Sequence, residues 1–207
     1  MSAEARERLL AAGARLFSEH GFRRVTVRDL CREAGANVSA VNYHFGDKLG
    51  LYRQVVEDAL ETIRGADPTM EAPPGASPED RIRHYVRSYL PALAHPTGPA
   101  IWLQRLMAHE MQEPTPLAPW IAERVILPRV RYLAKTVAEL LDLPADHPRV
   151  ERCVQSIQAQ CLFYAPNRFR RAALPGWHEL TDDEIAAVAQ HVVTFSLAGM
   201  EAAGDAG

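Results

Sequence analysis

The sequence predicts an all-α chain in two parts, a small helix-turn-helix unit at the N-terminus and a larger helical body behind it. Three observations carry this. Apolar residues recur at three- and four-residue spacing along most of the 207 residues, and no segment keeps the period of two that a strand needs. A helix–glycine–helix pattern spans residues 26–45. Proline, glycine and capping residues then cut the remainder into segments of helical length.

The first helix carries Leu9, Leu10, Ala12, Ala14, Leu16 and Phe17 and closes at a Gly21–Phe22 turn. Thr26 is placed to cap a second helix through Ala34, with Val27, Leu30 and Cys31 on one face. Gly35 ends it, because glycine accepts positive φ without steric cost. Asn37 or Ser39 caps the next helix, which runs through Tyr43. Val38 and Val41 are expected to pin that helix to its partner, leaving Ser39, Ala40, Asn42, Tyr43 and His44 facing outward. Two helices at this spacing across a glycine turn have the geometry that lays a second helix in the DNA major groove. Hydroxyls and amides there can reach base edges or phosphates, and an alanine methyl can meet a thymine methyl.

Behind this unit, residues 48–64 read as a helix with Leu51, Tyr52, Val55, Val56, Leu60 and Ile63 at helical spacing. Residues 65–78 form a linker rich in Pro, Gly and Ala, and Ser77–Pro78–Glu79–Asp80 starts a helix to about His95. Pro91 is expected to tilt that helix or to end its regular part. Gly98–Pro99 opens another helix to about Gln112. Pro114, Pro116 and Pro119 interrupt, and one longer helix follows to Leu143, bent near Pro128. His147–Pro148 opens a helix through about Tyr164, residues 167–180 form a loop, and Thr181–Glu184 is a capping box for the last helix, to Gly199. The tail is expected to fray.

Residues 1–55 hold nine Lys/Arg against six Asp/Glu, a net of +3, whereas the whole chain is −3, so the body is −6. A basic head on an acidic chain suits contact with nucleic acid at one end only. No apolar run approaches the ~20 residues a membrane-spanning helix needs. The N-terminus lacks the apolar stretch of a signal peptide, so no membrane partner is expected and the chain belongs in the cytoplasm. Cys153 and Cys161 sit eight residues apart on one expected helix, ~12 Å along its axis, too far for a disulfide. Both read as small buried hydrophobes. Sequence motifs for a serine elbow, a phosphate loop or a zinc-helix pair are missing, and the eight histidines are scattered. No catalysis, cofactor or metal is expected.

The run AVNYHFGDKLGLY resembles the signature of TetR-type transcriptional repressors, and the likeness extends over residues 4–55. It implies a DNA-binding helix-turn-helix domain over residues 1–50 and a helical effector-binding and dimerisation domain over residues 51–207. It also places Thr26, Arg28, Ser39, Ala40, Asn42, Tyr43, His44 and Lys48 where such proteins meet double-stranded DNA. Tyr43, His44 and Lys48 would mostly hold phosphates, and Phe45 would be core. In the body, IWLQRLMAHEMQEPTP, ILPRV and SIQAQCLFY resemble the C-terminal domain of the CecR-type branch of that family.

The resemblance implies a homodimer reading an inverted-repeat operator. Its seam is expected on the last two long helices, with Val154, Ile157, Cys161 and Leu162 on the first of them. It implies a repressor released by a small, partly apolar effector, which needs a mostly apolar cavity with a few polar groups. Trp102, Leu106, Met107, His109, Met111, Trp120, Phe163, Tyr164 and Asn167 are the candidates to line it, although His109 also reads as a structural histidine. The alternative is a helical ligand-binding or adaptor protein whose head is not used.

Overall fold

The computed structural model describes residues 3–66 and 72–202. Parts of the expected linker and tail, residues 67–71 and 203–207, lie outside them. In chain order the described helices are α1 (Ala3–Arg24), α2 (Val27–Ala34), α3 (Val38–Phe45), α4 (Lys48–Ala66), α5 (Pro78–Ala94), α6 (Pro99–Gln112), α7 (Ala118–Ile121), a π-helical segment (Ala122–Ile126), α8 (Leu127–Leu141), α9 (Pro148–Phe163), α10 (Arg168–Ala173) and α11 (Asp182–Ala202). They form two compact units, one from residues 3–66 with 97–125, the other from residues 72–96 with 126–202.

In the first unit the local rules written in the sequence operate as expected. Thr26 caps α2 in a reciprocal capping box with Asp29, and Gly35 ends that helix in the left-handed region at φ 58°. Asn37, rather than Ser39, caps α3 by accepting from the Ala40 amide. Leu9, Phe17, Leu30, Val41, Leu51 and Tyr52 bury completely in one core. Phe17 meets Tyr52 edge-on at 5.0 Å, and Phe22 lies 5.1 Å from Tyr52.

Helix α6 also belongs here. It packs on α1 and α4 and adds Leu103 and Leu106 to the same core. Glu110 on α6 is buried, and its carboxylate accepts from the Tyr52 hydroxyl at 2.8 Å and the Thr115 amide at 2.9 Å. Burial, reinforced by this neighbour, pushes the Tyr52 phenol well above its ordinary acidity range. One residue earlier, His109 Nε2 lies 3.3 Å from the Ser18 carbonyl. Its ring would be 3.1 Å from a Cβ placed on Gly21, whose φ of 77° already excludes most side chains.

The second unit packs α5 against α8, α9 and α11, and α9 against α8 and α11, around Ile82, Val86, Leu90, Leu133, Val137, Ile157 and Val193. Three expectations change here. Helix α5 runs to Ala94, in line with the expected end near His95, and of the two readings of Pro91 only the one that ended the regular helix fails, because the helix continues through it. The single helix expected up to Leu143 is instead α7, a π-helical segment and α8, and Pro128 sits in the first turn of α8, where a missing N–H costs least. The loop expected over 167–180 contains α10, capped by Asn167, whose side chain accepts from the Arg170 amide.

Helix α11 is long and apolar enough, by length and hydropathy alone, to cross a membrane, contrary to the reading of the sequence. Its Ile185, Ala189, Val192, Val193 and Met200 are core residues of the second unit. Val154, Ile157 and Cys161, expected in a dimer seam, are likewise buried within the chain because α5, α8 and α11 close over that face of α9. All three cysteines are free thiols, and burial pushes Cys161 up to about 12, so it remains an inert hydrophobe.

Tyr52→Phe leaves the buried Glu110 carboxylate with one donor fewer and should cost about 1–3 kcal/mol in urea unfolding. Unchanged stability would show that this hydrogen bond does not hold α6 to α4. A second prediction concerns the start of α11. There Glu184 accepts from the Thr181 amide and hydroxyl and pairs with His178 Nε2 at 3.0 Å. The Thr181 amide, then His178, holds Glu184 at about 2, and the Glu184 hydrogen bond raises the exposed His178 imidazole. The carboxylate's contribution is complete above the ordinary 4.5 and lost as pH falls towards about 2. The imidazole's is complete below the ordinary 6.5 and lost as pH rises through its raised value. Amide-exchange protection over residues 181–185, corrected for intrinsic rates, should therefore peak between those two ordinary values. His178→Ala should abolish the alkaline side and move the acid side upward in pH, because Glu184 then loses one of the partners that hold it low.

Candidate nucleic-acid interface

The surface of α3 follows from its helical phase. Ala40 and Val41 are buried, and His44 and Phe45 are half-buried, so one face packs onto α1, α2 and α4. Val38, Ser39, Asn42 and Tyr43 form the outward face, with Val38 47% and Tyr43 70% exposed. Ala40 and Val38 thus exchange the roles the sequence reading gave them. Ala40 is 3% exposed and cannot offer its methyl to a base, whereas Val38, in the first turn, projects its methyls outward.

Ser39 donates its hydroxyl to Asn37 Oδ1 at 2.7 Å, which fixes its rotamer while leaving the oxygen exposed. The Asn42 side chain is exposed. His44 has its Nε2 buried without a partner, so a phosphate could be met only from the Nδ1 side of the ring. Thr26 is committed to the α2 cap, donating its hydroxyl to Asp29 at 2.6 Å. Arg28, on the first turn of α2, is exposed.

Lys48 departs most from its expected part. Its Nζ donates to the carbonyls of Phe22 at 3.0 Å and Val25 at 2.9 Å, and stands 4.1 Å over the Phe22 ring. Partial burial pulls its pKa down. The ammonium ties the α1–α2 turn to the start of α4, with one N–H left over, so a phosphate contact is secondary. The sequence reading missed Arg6, whose guanidinium lies 5.8 Å over Phe45, beside the end of α3. The charge excess of the head was the only sign of it.

The nine residues expected to line an effector cavity are not gathered into one site. Trp102, Leu106, Met107, His109, Met111 and Trp120 belong to the first unit. Leu106 is fully buried in its core, Met111 is 84% exposed, and His109 is occupied by Ser18 and Gly21. Met107 packs against the same core, and Trp102 is partly exposed. Trp120 has the guanidiniums of Arg53 and Arg124 each 4.9 Å from its ring. Phe163, Tyr164 and Asn167 belong to the second unit. Arg170 lies 3.9 Å over Phe163, and a cavity of about 140 Å³ lies between Ala94, Tyr164, Asn167, Trp177 and His178.

A helical head whose third helix presents a short polar and aromatic face defines a helix-turn-helix DNA-binding protein with a helical body. Residues 9–55 match the model of the bacterial regulatory proteins of the tetR family, and residues 78–200 match that of the C-terminal domain of the HTH-type transcriptional dual regulator CecR. The chain belongs to the TetR family, in its CecR-type branch.

The CecR dual regulator of Shigella flexneri is 23% identical over 199 residues, covering 91% of this chain and 88% of that relative. Two solved structures have a similar fold. AibR, in complex with isovaleryl coenzyme A and operator DNA, superposes with a TM-score of 0.64 at 13% identity, over 92% of this chain and 97% of AibR. A TetR-like transcriptional regulator from Rhodococcus sp. RHA1 gives 0.63 at 19% identity, over 96% and 98%.

Membership makes this chain a sequence-specific DNA-binding transcriptional regulator of the cytoplasm and not an enzyme.

Arg28→Ala should leave thermal stability unchanged and reduce the slope of log K against log salt by about 0.9, one phosphate contact. Lys48→Ala should instead lower Tm, because two partly buried carbonyls lose their donor. A stable Lys48→Ala protein whose only defect is the salt slope would restore the phosphate role.

Proposed function

We propose that the chain is a repressor that holds an inverted-repeat operator as a two-fold dimer and leaves it when a small, partly apolar effector binds the body. The observation that carries the operator half is the outward face of α3. Val38 supplies methyls for a thymine, Ser39 and Asn42 supply hydrogen bonds to base edges, and Tyr43 lies along the backbone. Arg28 and Arg6 flank that face as phosphate contacts. Residues 1–50 meet DNA, and residues 51–207 take the effector and the second copy.

Dimerisation is supported by the outer faces of α9 and α11, where Leu162 and Phe195 are exposed among the small residues Ala198 and Gly199. Such a face admits close helix packing, and a two-fold axis presents two α3 helices to half-sites ~34 Å apart. AibR was solved with an acyl-coenzyme A and operator DNA together, which supports control by a small molecule in this fold. The effector stabilises a conformation whose heads no longer match the operator, and its differential affinity for the two states sets the response.

The test is a gel-shift titration with the DNA upstream of the protein's own gene. Discrete binding to an inverted repeat at ~nanomolar protein is expected, and smearing that salt abolishes would overturn the sequence-specific reading. Asn42→Ala and Ser39→Ala should change the preferred base at one position of each half-site, by about 1–3 kcal/mol. An equal loss on every sequence would remove them from base reading.

A further inference from the structure

Helix α2 is held to α1 in two different ways. Leu30, Cys31 and Ala34 bury their side chains in the core of the first unit. Beside them runs a shallow groove of about 300 Å³, lined by Arg8, Ala11, Ala12, Arg15, Glu33 and Ala34. Its alanines are too short to close it by packing. Two arginines of α1, two turns apart, cross it instead. Arg8 Nε donates to the Ala34 carbonyl at 2.9 Å, and Arg15 pairs with Glu33.

The Arg8 contact falls where the recognition helix is aimed. Ala34 is the last residue of α2, and its carbonyl is one of those a helix end leaves without an intrahelical donor. A cation there also meets the negative pole of the helix. Glu4, one turn back on α1, pairs with the same guanidinium at 3.1 Å and orients it. Only Gly35 and Ala36 stand between the held carbonyl and Asn37, the cap of α3. Arg6 and Arg8 differ by about 200° around α1, so Arg8 turns away from the flank where Arg6 lies over Phe45.

We propose that Arg8 is a positioning residue for base reading. Its Nε–H fixes the end of α2, and with it the direction in which α3 enters the major groove, without touching DNA itself. This rests on the base-reading role given above to the outward face of α3. Hydrogen bonds to base edges demand placement to within about 0.5 Å, whereas flexible side chains on phosphates follow small shifts. Losing the contact therefore lowers discrimination between operator and random DNA, and leaves affinity for DNA as such in place.

The test compares Arg8→Gln with Arg8→Met in the full chain. The glutamine amide nitrogen stands as many bonds from the backbone as the arginine Nε, so Arg8→Gln keeps the donor and loses the charge. Arg8→Met loses both. Arg8→Met should lower the ratio of operator to random-DNA affinity by about tenfold, and Arg8→Gln should keep most of it. The salt slope on random DNA should be the same in both variants as in the wild type. In the free protein, Arg8→Met should speed exchange of the Ala36 and Ala40 amides, which are bonded within the turn and the α3 cap, but not of amides in α11. Equal loss in both variants with a slope lower by about 0.9 would make Arg8 a phosphate contact and overturn the assignment. An affinity ratio unchanged in Arg8→Met would overturn it too, whatever its Tm. Wild-type protein that does not distinguish operator from random DNA would sink the base-reading role instead, and unchanged exchange at Ala36 and Ala40 would sink the hold on the turn.

Discussion

One buried carboxylate organises the first unit. Glu110 leaves water only because the Tyr52 hydroxyl and the Thr115 amide both donate to it, and an ion of that kind left without partners would be strongly destabilising. The Tyr52 ring that carries this hydroxyl is itself fixed by Phe17 and Phe22. Phe22 in turn lies under the Lys48 ammonium, which holds the carbonyls on either side of the α1–α2 turn. A chain of contacts therefore runs from α6 through α4 to the turn that sets where α2 and α3 begin. Every link is a hydrogen bond or a ring contact of fixed direction, so the position of that turn depends on α6 as well as on its own neighbours in sequence.

Local chemistry in the sequence was readable to within a residue or two. The capping box at Thr26, the glycine turn at 35, the proline start at 78 and the box at Thr181 all act through neighbours three or four positions away, and the sequence contains both partners. What it concealed were pairings over long separations. Tyr52 and Glu110 are 58 positions apart, so periodicity could show that α6 has an apolar face but not that the face belongs to the head.

The exchange of Ala40 and Val38 has a different origin. Adjacent residues on a helix differ by about 100°, and α3 is only two turns long, so a small error in phase reverses which side chain meets DNA. The same ambiguity affected α9, where Val154, Ile157 and Cys161 form a stripe that serves the chain's own core equally well. An effector cavity is hardest to read from sequence, because Met and aromatic side chains at helical spacing look alike in cores and in cavities.

The first unit is assembled from two stretches of chain, with all of α5 lying between them in sequence. Genetic shuffling that moved a DNA-reading module as one contiguous cassette would therefore carry away Tyr52 and leave Glu110, Leu103 and Leu106 behind. A new specificity grafted by exchanging the first fifty-odd codons inherits whatever sixth helix its host supplies, and must find in it a carboxylate for the same hydroxyl. Lineages of such regulators are thus free to rewrite the outward face of α3 residue by residue, while the boundary between reading and sensing resists recombination at the point where a gene map would draw it.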